Sequence, residues 1–320
     1  MNHAFINTLK PGETIISYYI LNRVAFKTGK NSQYLEFELQ DVSGIIRGVY
    51  WNGTAEDAQL LANCNIVKIK AEVITYQDRI ELKIDKFRPA TEEDDVDMDA
   101  LIEISQKNVE EMKRAIETTI EEIDNIYIRS LLEAIFYDEH IKQSYFEIPA
   151  GKRWHHSYKH GLLEHIYNML RLGQIMTEFY PDLDKELLIS GILLHDIGKI
   201  WEYSNDIRID YTDAGRLHGH IVMGYHFVMK KCEAIEDFPE SLKIQIGHLI
   251  LSHQGELENA SPVVPMTLEA MVLHHIDDLD AKANAISRVI RKDKQPNSNW
   301  TNYNKLMGRF FYSEKDWEQS

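Results

Sequence analysis

The hydrophobic pattern of this 320-residue chain changes its period once, and that change limits what the chain can fold into. From about residue 14 to residue 87 apolar and polar residues alternate, as at Leu35, Phe37 and Leu39, which is typical of half-buried strands. Beyond residue 100 apolar residues recur at helical spacing, and no convincing alternating strand follows. The sequence therefore predicts an all-β domain followed by a mostly α-helical domain.

The β domain is predicted to be a small closed barrel at 12–90. About five strands are separated by turn signals at 41–44, 52–53 and 77–78, and one helix is expected near 54–61. This strand count and size resemble the OB-fold, a five-stranded barrel that commonly binds oligonucleotides.

Aromatic and basic side chains are interleaved in the predicted barrel, and such an arrangement suits base stacking beside phosphate contacts. Each ring could equally fill the core, because a small barrel needs large side chains inside it. Tyr50 and Trp51 are neighbours on a strand and point to opposite faces, so at most one of them is core. The candidate nucleic-acid contacts in this domain are Phe37, Arg47 and Trp51.

The net charge of −16 disfavours tight nonspecific binding of nucleic acid, but the acidic residues are unevenly distributed. Residues 91–125 hold 13 acidic and 3 basic residues, whereas residues 12–90 hold 10 of each. We interpret 91–125 as an acidic linker and helix, 126–292 as the helical domain and 293–320 as an aromatic-containing tail. The tail rings are expected to dock on the body or to line a substrate channel.

The remaining composition points to the cytoplasm. The N-terminus lacks the features of a secretory signal, and no run of about 18 apolar residues predicts a membrane span. Cys64 and Cys232 are too few and too far apart for a disulfide framework or a zinc knuckle, so we expect reduced thiols. An oligomer is compatible with the sequence, although nothing in it indicates one.

Histidine is concentrated in the predicted helical domain, where 12 of the 14 histidines lie between His155 and His275. The adjacent His195 and Asp196 follow an apolar run, and burying polar groups without partners costs several kcal/mol. A metal ion explains such a pair, since imidazole and carboxylate are ligands that suit Mn, Fe or Zn ions. The pattern indicates a metal-dependent hydrolase.

Side chains on separate helices could surround two ions about 4 Å apart, which together can activate a water and stabilise a phosphoryl displacement. Asp277 and Asp280 share a helix face, so one could ligate while the other orients a neighbour. Each histidine ligand needs an acceptor for its second ring nitrogen, and Glu164, Asp213 and Glu269 are candidates. The candidate ligands at this stage are the histidines and carboxylates of the segments 165, 195–196, 218–220, 248–253 and 274–280.

This metal pattern is similar to the HD superfamily of metal-dependent phosphohydrolases. Over most of residues 10–290, barrel and helical domain together resemble the YhaM-type 3′–5′ exoribonuclease family of Gram-positive bacteria. One departure is Gln254, which stands where the family usually has a second histidine and is a poor metal ligand. The motifs that carry the resemblance are 155–157, 193–199, 219–221, 251–255 with 261–262, and 277–282.

The resemblance implies hydrolysis of single-stranded RNA, with single-stranded DNA as a further candidate, from the 3′ end to nucleoside 5′-monophosphates. It also implies one or two divalent ions, with Mn²⁺ as the expected metal. The ligands predicted from the resemblance are His165, His195, Asp196, His220, His253 and Asp277. Asp196 would bridge two ions, and Lys199 would either neutralise charge on the phosphate or be a surface lysine. Lys159 and His160 are candidate substrate contacts, at least one of which is expected to be ordinary surface. For His248, the first expectation is that it orients a metal ligand, and the second is that it is itself a ligand.

Two other functions remain open at this point. An HD phosphohydrolase could act on nucleotides or cyclic nucleotides, although a small nucleotide needs no barrel to hold a strand. A DNA- or RNA-binding factor could carry an inactive HD domain, although an unused site would be expected to lose ligands.

Overall fold

The structure is a computed structural model, and the chain divides between Ile104 and Ser105 into two compact units, the first of which also takes a three-residue segment from later in the chain. Parts of the predicted tail, 294–297 and 315–320, lie outside the described residues. The structure describes residues 3–29, 32–152, 154–204, 207, 209–293 and 298–314.

The first unit contains a closed barrel whose strands follow the order β1-β2-β3-β5-β4. The β3–β5 pair is parallel and the other four pairs are antiparallel. A short helix, α1 (Ala55–Leu60), lies between β3 and β4 and begins at a capping box formed by Thr54 and Asp57. The predicted OB-like barrel is confirmed, with strands β1 (Thr14–Thr28), β2 (Gln33–Asp41), β3 (Gly44–Trp51), β4 (Ile66–Tyr76) and β5 (Arg79–Pro89).

Alternation along β2 decides which side chains fill the barrel. Leu35, Phe37 and Leu39 are wholly buried and pack with inward residues of the other strands. The prediction of Phe37 as a nucleic-acid contact is therefore wrong, because its ring points into the core. Trp51 lies at the end of β3 with half its surface exposed, while Tyr50 packs partly against the core.

The second unit is helical, and its core lies around the central helix α6, which is buried on every side from Leu187 to Leu194. Among the residues that the structure describes, no helix is both long and apolar enough to cross a membrane. The helices are α2 (Val109–Glu121), α3 (Ile126–Phe136), α4 (Glu139–Glu147), α5 (Gly161–Phe179), α6 (Lys185–Leu194), α7 (Lys199–Glu202), α8 (Asp213–Glu233), α9 (Glu240–Ser252) and α10 (Leu268–Asp293).

The acidic segment 91–125 is divided between the two units and does not form a separate linker. Met112, Ile116 and Ile120 of α2 pack in the core of the helical unit. Helix α2 therefore belongs to the helical unit, which begins earlier than the predicted residue 126.

The described part of the tail pairs with itself. Trp300 and Tyr312 form an antiparallel bridge with ring centroids 5.0 Å apart, and the Tyr303 and Phe310 rings are 5.1 Å apart. All four rings remain about half exposed. These rings therefore pack against one another, and their docking on the body or contribution to a substrate channel stays a prediction.

Candidate metal centre

The six predicted ligands come from five helical segments and meet inside the helical unit. His165 lies on α5, His195 and Asp196 directly follow α6, His220 lies on α8, His253 directly follows α9, and Asp277 lies on α10. They form two trios in which the candidate ligand atoms all lie within 4.8 Å of one another. The first trio is His165, His195 and Asp277, and the second is Asp196, His220 and His253.

The four histidines of the two trios have their Nδ1 nitrogen engaged by an oxygen. Because carboxylate and carbonyl oxygens only accept, Nδ1 carries the proton in each neutral ring, and the lone pair lies on Nε2. The Nδ1 contacts are His165 to Asp280 Oδ2 at 2.7 Å, His195 to the Ile192 carbonyl at 3.0 Å, His220 to Glu202 Oε1 at 3.0 Å, and His253 to the Ile250 carbonyl at 2.8 Å.

Several atoms at the centre are buried without a hydrogen-bond partner among the residues that the structure describes. They are Nε2 of His165, His195 and His220, together with Oδ1 of Asp196. Leaving such atoms buried and unpartnered costs free energy, whereas divalent ions held by the two trios would satisfy them. The donor set and its free atoms therefore fit divalent metal ions.

Asp196 belongs to the second trio and also lies beside His195 of the first. Its Oδ1 is 3.4 Å from His220 Nε2 and 3.8 Å from His253 Nε2, and its Oδ2 is 3.4 Å from His195 Nε2. The Nζ of Lys199 is 2.5 Å from the same Oδ2. Burial alone would raise the pKa of Asp196, but Lys199 and His195 hold that pKa well below its ordinary value. The carboxylate is thus kept ionised in a position to reach both trios.

Lys199 is buried, so the alternative of a surface lysine is wrong. Its ammonium group forms an ion pair with Asp196, and this pairing offsets the cost of burying a lysine and a carboxylate inside the unit.

Asp277 and Asp280 contact opposite sides of the same imidazole. Asp277 Oδ1 is 3.2 Å from His165 Nε2, whereas Asp280 Oδ2 is bonded to His165 Nδ1 and to His156 Nε2. Burial lowers the pKa of His165, but Asp277 and Asp280 together raise it to about 10. Asp280 therefore orients the ring, and an ion held by Nε2 and Asp277 would take the place of the proton there.

Sequence reasoning missed two side chains at the centre. Glu202 is buried and accepts from both the ring Nδ1 and the backbone nitrogen of His220, each at 3.0 Å. His155 has a buried Nδ1 without a partner among the described residues, and its ring lies 5.3 Å from that of His165. The adjacent histidines in the 155–157 motif were the available signal for the second. His156 has both ring nitrogens engaged and is not free to ligate.

The predicted orienting residues lie elsewhere. Two hydroxyl groups donate to Glu164, the backbone nitrogen of Asp184 donates to Glu269, and Asp213 is exposed. The His248 ring accepts from the Met266 backbone nitrogen, so it neither orients a ligand of the trios nor belongs to them. Sequence spacing could not assign these partners, because they depend on how the helices pack.

Gln254 has its side-chain nitrogen 3.1 Å from His253 Nε2. The amide group donates to this nitrogen, because the ring Nδ1 is already the donor to the Ile250 carbonyl. The departure from the family pattern thus lies directly beside a predicted ligand atom.

Two predicted substrate contacts of the helical unit lie just before α5. His160 adopts a left-handed backbone conformation with φ 64°, and its Nδ1 is 2.7 Å from the Phe146 carbonyl. Lys159 is half-buried, and its carbonyl accepts from the Ser105 backbone nitrogen. Contact of either residue with substrate stays a prediction.

The two remaining predicted nucleic-acid contacts on the barrel, Arg47 and Trp51, differ in how free their side chains are to contact a ligand. The guanidinium of Arg47 is held by Glu36 and Glu81 at 2.7–2.9 Å, so it is already neutralised within the protein. The Trp51 ring is half exposed and packs against Tyr34 with centroids 5.2 Å apart. Of the two, Trp51 offers the freer surface.

Comparison with known proteins agrees with both units. Residues 162–282 match the HD domain family, and this segment contains all six predicted ligands. Residues 21–90 match the family described as an OB-fold nucleic acid binding domain. Fold and site together define a metal-dependent phosphohydrolase of the HD class that carries an OB-fold domain.

Relatives extend over nearly the whole chain. The protein named 3'-5' exoribonuclease YhaM from Shouchella clausii (strain KSM-K16) is 35% identical over 282 residues, which is 88% of this chain and 88% of that protein. The protein of the same name from Bacillus subtilis (strain 168) is 34% identical over 284 residues, covering 88% of this chain and 90% of that protein. The chain belongs to the YhaM 3′–5′ exoribonuclease family.

Proposed function

We propose that this protein is a metal-dependent exonuclease that shortens single-stranded RNA from the 3′ end and releases nucleoside 5′-monophosphates. The observation that carries the proposal is the pair of buried trios joined by Asp196. Two adjacent ligand sets suit the two-ion arrangement that supports phosphodiester hydrolysis. The relatives named 3'-5' exoribonuclease YhaM support the choice of RNA and the direction.

The proposed cofactor is a pair of Mn²⁺ ions, since mixed imidazole and carboxylate sets suit this metal. When bound, the ions would polarise the scissile phosphate and lower the pKa of the attacking water. Asp196 would help to hold the ions, because its carboxylate lies beside histidines of both trios. Lys199 would act by keeping Asp196 ionised and in place, because its ammonium group is directed to that carboxylate and not to the surface.

The barrel is the proposed holder of the RNA strand. The exposed Trp51 ring, supported by Tyr34, offers a stacking surface that tolerates any base. Single-stranded DNA has the same bases and phosphates and is a further proposed substrate. We place the enzyme in the cytoplasm, which the low cysteine content of two residues in 320 favours.

The direct test uses 5′-labelled single-stranded RNA with protein stripped by EDTA and then supplied with Mn²⁺. We expect a ladder that shortens from the 3′ end, its loss in Asp196→Ala, and its retention in the matched control Asp213→Ala, which replaces an exposed carboxylate of the same unit. Intact RNA with hydrolysis of free nucleotides would instead indicate a nucleotide phosphohydrolase. Intact RNA that stays bound would indicate a binding factor.

A further inference from the structure

A cleft of about 340 Å³ opens beside the metal centre in the helical unit. Its lining includes Asp277 of the first trio and His253 of the second, together with His155, whose ring lies 5.3 Å from that of His165. A molecule in the cleft would therefore touch the metal centre directly. The volume is at the lower end of the range of roughly 300–1,000 Å³ for small-molecule sites, which suits one nucleotide better than several.

The remaining lining combines an aromatic ring with polar groups. Trp154 contributes an indole, and Gln254, Asn259 and His274 contribute hydrogen-bonding groups. A single aromatic platform with a few polar groups is the composition expected of a pocket that stacks on a base and bonds a sugar.

His274 is held in place on the wall of the cleft. Its Nδ1 is 2.8 Å from the His253 carbonyl, so Nδ1 donates and Nε2 is the acceptor of the neutral ring. The ring lies against Gly255, whose φ is +80°, and a Cβ there would come within 2.2 Å of the ring. The residue that follows the predicted ligand by two positions thus has to be glycine for this ring to fit. The Nε2 acceptor of His274 is therefore held in a fixed position beside His253.

We propose that this cleft holds the 3′-terminal nucleotide of the RNA, with Trp154 stacking on its base and His274 Nε2 accepting a hydrogen bond from a ribose hydroxyl. This proposal rests on the proposed exonuclease function. The terminal phosphodiester would then face the trios through His155, His253 and Asp277. After hydrolysis the same cleft would hold the nucleoside 5′-monophosphate, which makes the product a usable probe.

Binding of adenosine 5′-monophosphate to the Mn²⁺-loaded full-length protein, measured by calorimetry, tests the stacking role of Trp154. Trp154→Ala should weaken binding about tenfold or more, because base–aromatic stacking is lost. Trp154→Phe should restore most of the affinity, and the exposed-tryptophan control Trp300→Ala should not change it. Ribose 5-phosphate, which has no base, should bind all four proteins equally.

The hydroxyl contact is tested by His274→Phe, which keeps a ring of similar size against Gly255. It should weaken adenosine 5′-monophosphate about fivefold and leave 2′,3′-dideoxyadenosine 5′-monophosphate unchanged, since only the former offers ribose hydroxyls.

Two results would overturn the pocket. One is equal binding of adenosine 5′-monophosphate to wild type and Trp154→Ala, and the other is no preference of wild type for this nucleotide over ribose 5-phosphate. The RNA-shortening assay on the same preparations separates the two proposals. If the wild type shortens RNA and either result is found, only the proposed role of the cleft is contradicted. If the wild type does not shorten RNA, the proposed exonuclease function is contradicted, and the role of the cleft with it.

Discussion

At the scale of single residues, the centre depends on side chains that hold the histidines as much as on the histidines themselves. Each Nδ1 is fixed by an oxygen, so Nε2 is the ring nitrogen that would bind an ion. Sequence reasoning found the ligand types because an adjacent His195 and Asp196 beside an apolar run is informative by itself. It did not find Glu202, whose role depends on the contact of α7 with α8.

Glu202→Gln tests this dependence. The amide keeps the size of the side chain but removes the charge that fixes His220, so we expect metal affinity to fall by about 10- to 100-fold. Metal titration of the stripped protein measures the change. Glu269→Gln is the matched control, because Glu269 is also buried but accepts from the Asp184 backbone away from the trios. Equal affinity in Glu202→Gln and wild type would refute the role of Glu202.

At the scale of elements, close backbone contacts determine where the ligands stand. The turn between α6 and α7 approaches α8 so closely that a Cβ on Gly198 would lie 1.9 Å from the His220 carbonyl. Helix α8 also changes direction at Gly219, where φ is 72°, directly before His220. Helical periodicity predicts that helices are present here, but the approach of one backbone to another is a tertiary feature that periodicity does not contain.

Gly198→Ala should therefore separate Asp196 from His220. We expect the free energy of unfolding to fall by about 1–3 kcal/mol or more, because the contact is with backbone and cannot relax cheaply. Metal affinity should fall with it. Gly44→Ala is the control, since a Cβ there meets only an ordinary contact with Ile6 at 3.5 Å. Chemical denaturation and metal titration of both variants measure the effect, and a fully stable Gly198→Ala would contradict it.

The strand pattern predicted the barrel correctly, and it also identifies the cause of the error over Phe37. Alternation places Leu35, Phe37 and Leu39 on one face, and that face is the core. An aromatic residue type favours Phe37 as a nucleic-acid contact, whereas its position in the alternation of β2 places its ring in the barrel core. The end of the barrel unit was harder to predict, because acidic composition does not distinguish a linker from the polar face of α2.

The turn between β2 and β3 has a pH dependence of its own. Burial would raise the pKa of Asp41, but hydrogen bonds from His3, Ser43 and the Ile6 backbone hold it below its ordinary value. A carboxyl whose pKa is lower in the folded state stabilises that state above about pH 4, and this contribution is lost as the pH falls through the folded pKa.

Asp41→Asn should weaken the turn near neutral pH by about 2 kcal/mol, since bonds to a charged acceptor are replaced. It should also flatten the loss of stability in acid. Hydrogen exchange of peptides from β2 and β3 between pH 3 and pH 7 measures both effects. The same acid dependence in wild type and variant would exclude Asp41 as its source.

At the scale of the whole molecule, a barrel of the OB class and an HD domain occur in one chain, and each has a separate role in the proposed reaction. The net charge of −16 argues against broad electrostatic attraction to RNA. Affinity would then come from local contacts, and stacking on an exposed ring is the contact that charge affects least.

Trp51→Ala should therefore weaken RNA binding to the whole protein by about 1–3 kcal/mol, the amount typical of one base stacked on an aromatic ring. Fluorescence anisotropy of labelled RNA without added metal measures affinity apart from cleavage. Phe179→Ala is the control, because Phe179 is an exposed ring on α5 of the helical unit. Similar RNA affinity of Trp51→Ala and wild type would show that the Trp51 ring does not contribute to RNA binding.

In the proposed function, the two trios form a metal centre on which RNA hydrolysis depends. The most direct measurement counts Mn²⁺ bound per stripped chain and follows shortening of 5′-labelled RNA in the same samples, for wild type and Asp196→Asn. We predict two ions in wild type, shortening that rises with their binding, and loss of both ions and activity in the variant. Full-rate shortening by metal-free protein, or by Asp196→Asn, would contradict this account.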